Sequence, residues 1–262
     1  MAIIVVAAVS VLLVLAGGAA AWWRWDGDRQ PRVEDAVAVM TRAVADAVVA
    51  AGPTAAVAVS GVLRSTECRI NAFRQGGIFT ANADVYTDPG GEEALITAMA
   101  EPLSRSYPIR RGAAVAGVRP ASADLPAGVR LSIRRLSAGW LSVSARTGCS
   151  LGSAPASVEE PVDPTAREAI TAVFAALGTR PTSFKAHRLP CAQGSTVTVA
   201  AVSEPADSAG LRARLAATIP AQAHRLAAGT SNRVAYRAGT VSVIVAASDD
   251  GTSVTSQYTV VC

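Results

Sequence analysis

One stretch of the chain has the residue types and spacing of a nucleophilic catalyst. Residues 148–152 read Gly-Cys-Ser-Leu-Gly, which fits the G-x-S-x-G turn that exposes the catalytic serine of many hydrolases. That mechanism needs a strand before the serine, a helix directly after it, and an acid and a histidine further along. The sequence offers Asp163, His187, Asp207 and His224 as partners. Residues 152–155 read Gly-Ser-Ala-Pro where the helix must begin, so we expect a strand end entering a linker and assign no catalytic residue.

Metal and cofactor chemistry finds even less support. His187 and His224 are the only histidines, and no C-x-x-C, H-x-x-x-H or H-E-x-x-H spacing occurs. Residues 249–251, Asp-Asp-Gly, lack the further oxygen ligands of a calcium loop and are typical of a hairpin turn. The single lysine, Lys185, does not follow a glycine-rich phosphate loop, and no dinucleotide-binding fingerprint is present. The sequence therefore predicts no metal and no cofactor.

The four cysteines, Cys68, Cys149, Cys191 and Cys262, have a spacing that favours structural disulfides. Four cysteines allow three pairings. Each successive pair brackets a similar run of strand and helix signals, so we predict Cys68–Cys149 and Cys191–Cys262, as expected of a duplicated unit that closes on itself. Paired cysteines at structural positions are typical of oxidising compartments. The alternative is four buried free thiols in a reducing compartment.

The elements around the cysteines repeat in the two halves of the chain. Apolar residues recur at three- and four-residue steps over 33–48 and again over 163–177, where Asp163-Pro164 marks a helix start. Each predicted helix precedes a strand with alternating apolar residues, at 79–85 and 197–201. An acid-proline pair and a short helix follow in both halves, and then two or three more strands.

This order predicts an α+β fold. We expect two tandem modules, each an antiparallel sheet with helices packed on one face and one internal disulfide, because the last strands of each half follow one another without helices between them. The domains are then a transmembrane signal anchor at 1–25, a first module at 26–152 and a second module, a repeat of the first, at 153–262. Residues 152–161 mix small residues, prolines and two glutamates, which is typical of a linker.

The N-terminal segment predicts contact with a lipid bilayer. Residues 2–23 contain no charged side chain, and about 20 apolar residues suffice to cross a membrane as a helix. We predict a retained anchor; the alternative is a signal peptide cleaved after residues 19–21, Ala-Ala-Ala. The positive-inside rule leans toward a cytoplasmic body, because arginines follow the span. The cysteines favour an extracytoplasmic body, which we expect, since long translocated domains tolerate such flanks.

The charge distribution points to one candidate partner surface. Residues 55–152 carry 11 basic and 7 acidic side chains, most of the net charge of +4. This excess is too diffuse, and too poor in stacking aromatics, for a nucleic-acid surface. Trp140 shares strand parity with Arg146 and lies near Arg130 and Arg134, so these four residues form a candidate surface for an envelope protein or an acidic polymer. The alternative is that Trp140 is covered by the linker, the second module or the membrane-proximal helix.

The arginine-rich, lysine-poor composition is typical of high-GC bacterial genomes. Together these features favour a membrane-anchored, extracytoplasmic binding or assembly module of a bacterial cell envelope, without recognisable catalytic chemistry. Two alternatives stay open. One is an envelope enzyme whose site forms between the modules, and the other is a structural subunit of a membrane complex, which would expose a large apolar patch.

Overall fold

The computed structural model describes residues 31–72, 74–154, 161–226 and 232–262. The first module contains helices α1 (Val33–Ala50) and α2 (Glu92–Leu103), strands β1 (Ala56–Val59), β2 (Leu63–Asn71), β3 (Arg74–Tyr86), β4 (Arg110–Arg111), β5 (Ala121–Leu125), β6 (Val129–Ser137) and β7 (Trp140–Thr147), and a 3-10 turn at Pro126–Gly128. The second contains helices α3 (Pro164–Ala176) and α4 (Leu211–Leu215) and strands β8 (Pro181–Cys191), β9 (Gly194–Ser203), β10 (His224–Leu226), β11 (Arg233–Ala238), β12 (Val241–Ala247) and β13 (Val254–Val260).

Both sheets are antiparallel and share one strand order. The first runs β1-β3-β7-β6-β5-β4, with β2 also paired to β3, and the second runs β8-β9-β13-β12-β11-β10. The strands β1 and β2 together occupy the place that β8 takes in the second sheet, and every later strand has a counterpart. The predicted α+β organisation in two similar modules, with a disulfide in each, is confirmed.

The helices form because their apolar residues share one face, which packs on a sheet. In α1, Val33, Met40, Val44 and Val48 are buried, and the helix lies across β3, β6 and β7. In α3, the Asp163 carboxylate caps the first turn by accepting from the backbone N–H groups of Thr165 and Ala166. Each sheet therefore has one face covered by its own helices, as the alternating strand pattern predicts.

The two disulfides are Cys68–Cys149 and Cys191–Cys262, which confirms the predicted pairing. Each joins the segment after the last strand of a module to the hairpin that opens its sheet. In the first module Gly76 lies opposite Cys68 across the β2–β3 pair. A Cβ atom at Gly76 would come within 2.8 Å of the Ser150 carbonyl oxygen, so the close approach of the Cys149 segment requires glycine there.

The second module covers the free edge of β1. Among the described strands, β1 pairs with β3 alone. Two of its N–H groups donate to side chains of the second sheet: Val57 to Ser242 Oγ at 3.0 Å and Val59 to Thr198 Oγ1 at 2.9 Å. An edge strand with unpaired donors would otherwise invite pairing with another chain. The outer face of the second sheet is thus an interface with the first module.

Apolar packing extends this interface. Leu189 and Val261 of the second module belong to the hydrophobic core of the first. A separate cluster joins residues of both modules: Ala56, Ala58, Tyr86, Leu226, Ala235 and Ile244, with Trp140 packed against it. The two modules therefore bury surface against each other and are held together by packing as well as by the covalent chain.

The signal anchor predicted for residues 1–25 lies outside the described residues. Within the four described ranges, no helix combines the length and apolar character needed to cross a membrane.

Candidate functional site

The uncovered face of the first sheet brings together three of the four residues predicted as a partner surface. Arg130 and Arg134 on β6 and Arg146 on β7 point away from the helices, because they alternate with buried core residues. Their neighbours on this side of β3, β5, β6 and β7 are mostly hydroxyl or amide side chains. We call this surface the arginine face and define it as Thr80, Asn82, Ser122, Asp124, Arg130, Ser132, Arg134, Ser142, Ser144 and Arg146.

One side of the arginine face is neutralised internally. Asp124 on β5 accepts from Arg110 and also from Arg130, whose Nε lies 3.1 Å from Oδ1. All three side chains are exposed. The hydrogen bond from Arg110 and the nearby charge of Arg130 hold the pKa of the Asp124 carboxyl below its usual value. Arg130 is therefore held in place by a counter-ion of the protein itself.

The other side carries unbalanced positive charge. Arg146 lies directly opposite Arg130 across the β6–β7 pair, and Arg134 lies opposite Ser142. Like charges at directly opposed positions destabilise a sheet. Both Arg134 and Arg146 are exposed, and neither has an ion-pair partner within the described ranges. An anion bound at Arg146 would relieve its repulsion with Arg130.

Three connected depressions cover the arginine face. One of about 740 Å³ lies over the Arg130–Arg146 pair, and one of about 540 Å³ runs toward β2 along Asn82 and Ser142. A third, of about 630 Å³, lies between β6 and the loop that precedes β5. Arg134 borders all three. All three are shallow and open to solvent, and their hydroxyl-lined floor offers donors and acceptors for a polar ligand.

Trp140, the fourth predicted surface residue, lies apart from the three arginines at the boundary with the second module. Its ring stacks on Tyr86, with centroids 5.9 Å apart and planes 4° from parallel. The Arg233 guanidinium carbon of the second module lies 3.7 Å from the centroid of the Trp140 ring. The second module thus covers one side of Trp140, as in the alternative given in the sequence analysis.

The Trp140 indole is also held by a half-buried carboxylate. Its Nε1 donates to Asp84 Oδ1 at 3.0 Å. Burial raises the pKa of Asp84, although the indole hydrogen bond and the charge of Arg233 act in the opposite direction. Burial and the Asp84 charge also raise the pKa of Tyr86. These groups form a packed polar contact between modules.

The G-x-S-x-G segment follows strand β7 but lacks the exposed serine of a nucleophile elbow. Ser150 is buried, donates through its hydroxyl to the Gly148 carbonyl at 3.2 Å, and forms backbone hydrogen bonds with Gly77. Leu151 forms a backbone bridge with Arg32. This segment closes one end of the sheet, which agrees with the prediction of a strand end.

The histidines lie at the boundary between modules. The Nε2 atom of His224 is 3.7 Å from Asp88 Oδ2, longer than a hydrogen bond. His187 packs against Gly61, where a Cβ atom would come within 3.0 Å of its Nδ1. Burial and the charge of Lys185 lower the pKa of His187. Within the described ranges, no three His, Cys, Asp or Glu side chains are grouped as metal ligands.

Sequence reasoning missed the loop between β4 and β5, which borders the third depression. Val115 in this loop is 71% exposed. The sequence around it, Gly-Ala-Ala-Val-Ala-Gly-Val, carries a turn signal in the Ala116-Gly117 pair, but nothing in it shows that the loop lies against β6. The loop is placed beside β6 because β5, which follows the loop, pairs with β6.

Comparison with known proteins adds no assignment. No known protein family matches the sequence, and no curated protein matches it. Among solved structures, one match is to a chain of the complex of Pseudomonas aeruginosa MucA and MucB, with 12% identity over 82% of this chain and 93% of that chain. Its TM-score is 0.14, which is too low to support any statement about fold or function.

Proposed function

We propose that this protein is a membrane-anchored, extracytoplasmic binding module of a bacterial cell envelope, and that its arginine face binds an acidic partner. The observation that carries the proposal is the pair Arg134 and Arg146. Both are exposed on one sheet face, and no carboxylate within the described ranges pairs with them. The sheet fixes the backbone positions of the two arginines, so ligand binding has to order their side chains but not the strands that carry them.

The surrounding chemistry favours an acidic polymer over a single metal-bound or covalently held substrate. Two carboxylates also line the floor, Asp84, which accepts from Trp140, and Asp124, which is paired with Arg110 and Arg130. The other polar groups are hydroxyls and an amide, which bind carboxylate or phosphate oxygens without selecting one geometry. The face is also open across the strands, since two depressions that share Arg134 and Arg146 adjoin from β5 to β2. An extended polyanion can therefore cross the strands and contact several arginines at once.

The compartment part of the proposal is supported by the two disulfides, which form and persist in oxidising environments. A topology reporter fused after Cys262 tests it. A reporter active only outside the cytoplasm supports the proposed location, and one active only inside the cytoplasm contradicts it.

The binding part is tested with the full-length chain in nanodiscs of neutral lipid and polyglutamate as the probe. We expect salt-sensitive binding, because exposed charges are screened at high ionic strength. The double variant Arg134→Ser/Arg146→Ser should bind about tenfold more weakly, equivalent to about 1.4 kcal/mol.

The matched control is Arg105→Ser/Arg180→Ser, which removes the same net charge at two exposed arginines outside this face. Its affinity should stay within about twofold of the original chain, since distant charges act only through the screened field. Equal losses in the two double variants would show that net charge alone drives binding and would overturn the assignment to the arginine face.

A further inference from the structure

The depression between β6 and the β4–β5 loop, which we call the amphipathic groove, differs from the rest of the arginine face. Its apolar walls carry Val115 on the loop and Leu136 on β6, and its floor carries Ser122 and Ser132. Arg134 stands beside them. Val115 is 71% exposed and Leu136 is 41% exposed. Arg130 and Arg135 also border the groove, and they face the carboxylates of Asp124 and Glu92 at 3.1 and 3.5 Å. Arg134 is therefore the cation beside the two exposed aliphatic side chains that is open to a ligand.

The loop that forms one wall is held at both ends by a single carboxylate. Glu93 on α2 accepts from Arg111 Nη2 at 2.7 Å through Oε1, and from the Arg119 backbone N–H at 2.6 Å through Oε2. Arg111 also donates to the Arg119 carbonyl at 2.7 Å. The loop is therefore anchored to the helix layer and keeps its position over β6 without a ligand.

The tip of the loop is a tight turn that presents an apolar side chain to solvent. Val115 and Val118 exchange backbone hydrogen bonds of 2.9 and 3.1 Å. Between them, Ala116 has a φ of 49°, in the left-handed region that is unfavourable for a residue with a Cβ. The two hydrogen bonds of this turn hold the Val115 backbone at the mouth of the groove.

We propose that the amphipathic groove binds a single-chain amphiphilic anion, with its apolar chain against Val115 and Leu136 and its carboxylate or phosphate head on Arg134. A purely polar anion leaves the two aliphatic side chains in water, and a neutral chain leaves the arginine unpaired, so only a ligand with both parts complements the groove. This inference rests on the proposed function, because it assigns one ligand class to part of the same face.

The test is photo-crosslinking of the full-length chain, in nanodiscs of neutral lipid, with dodecyl phosphate that carries a diazirine on its chain. We expect crosslinks at residues 112–120 and 132–136, mapped by mass spectrometry. Excess unlabelled dodecyl phosphate should abolish them. Dodecanol and inorganic phosphate, at the same concentration, should compete at least about tenfold less well, because each supplies only half of the interaction.

The variants Val115→Ser/Leu136→Ser and Arg134→Ser should each lower groove crosslinking by about tenfold. Val49→Ser/Val202→Ser, at two other exposed aliphatic residues, should leave it unchanged. Crosslinks spread equally over Val49 and Val202, or absent from the groove, would overturn the inference. If polyglutamate still binds in that case, the proposed function stands; if neither probe binds, both fail.

Discussion

Arg233 of the second module lies over the ring of Trp140 in the first, with its guanidinium carbon 3.7 Å from the ring centroid. The same guanidinium has an Nη1 atom 3.5 Å from the Tyr86 hydroxyl, and the Tyr86 ring stacks on the ring of Trp140. This contact joins the first sheet to the second. Its contribution to the free energy of unfolding therefore measures how strongly the two modules stabilise each other.

A double-mutant cycle on Trp140→Leu and Arg233→Met should give a coupling energy of about 0.5–2 kcal/mol, because a partly desolvated cation–π pair is of this size. The free energy of unfolding in urea, measured for the two single variants and the double variant, gives the value. A parallel cycle on Trp140→Leu and Arg146→Met should give a value near zero, since Arg146 does not contact the ring. Similar coupling energies in both cycles would contradict a specific contact between Arg233 and Trp140.

The hydroxyl of Ser242 is expected to matter for the edge of β1. It accepts from the Val57 N–H at 3.0 Å and from Arg237 Nη1 at 2.9 Å, and Ser242 is fully buried. Ser242→Ala leaves a buried donor unpaired and should cost about 1–3 kcal/mol. Hydrogen exchange should show faster exchange of the Val57 amide.

The control for that change is Ser144→Ala, which removes a hydroxyl from the open arginine face. It should alter the free energy of unfolding by less than about 0.5 kcal/mol. Equal costs at the two serines would indicate that the second module does not cover the β1 edge.

Glu92 should make stability depend on pH. It is 3% exposed and accepts from the Gly139 N–H at 2.6 Å and the Gly90 N–H at 2.9 Å. Burial acts to raise its pKa, but these hydrogen bonds and the charge of Arg135 hold the pKa of Glu92 below its usual value. A carboxyl with a depressed folded pKa contributes stability above its unfolded pKa, near 4.3, and that contribution is lost as the pH falls through the folded pKa.

Glu92→Gln should therefore lower the free energy of unfolding by about 1–3 kcal/mol near pH 7, since its amide nitrogen faces a backbone donor. The difference from the original chain should shrink below about pH 4. Unfolding in urea at pH 7, 5 and 3.5 measures this. Glu101→Gln, an exposed position on the same helix, should show no such pH-dependent difference; a constant difference at Glu92 would argue against the ionised form as the stabilising species.

The repeated disulfides should contribute independently. Replacing either Cys68/Cys149 or Cys191/Cys262 by serine should lower the free energy of unfolding by about 2–5 kcal/mol, because the closed loops, with separations of 81 and 71 residues, are of similar length. Peptide mapping without reduction should recover only these two pairs. A Cys68–Cys191 peptide would contradict the duplicated arrangement.

The local pattern of the chain predicts a large part of this fold. Alternation at Val129, Leu131 and Ile133 predicts a strand with one covered face, and all three side chains are buried. Asp163 before Pro164 predicts a helix start, and its side chain caps that helix. The cysteine pairing was also predictable from the sequence, because the same order of strands and helices lies between Cys68 and Cys149 as between Cys191 and Cys262.

The contacts between modules could not be predicted in the same way. They depend on which polar residues of the second sheet meet β1, and hydroxyls such as Thr198 and Ser242 have the strand parity of a solvent-facing side. Arg233 gives no local signal that it lies on Trp140, more than 90 positions earlier in the sequence. The arginine face was predicted in part, since strand parity places Arg130, Arg134 and Arg146 on one side, but the Arg130–Arg146 opposition depends on register.

The most direct test of the central claim, that the arginine face binds an acidic partner, is arginine-selective modification by phenylglyoxal, read by mass spectrometry with and without polyglutamate. Arg134 and Arg146 are exposed and should react in the free chain, and saturating polyglutamate should lower their modification by about tenfold, with Arg105 and Arg180 unaffected. Unchanged reactivity at Arg134 and Arg146, or equal protection of all four arginines, would contradict the account.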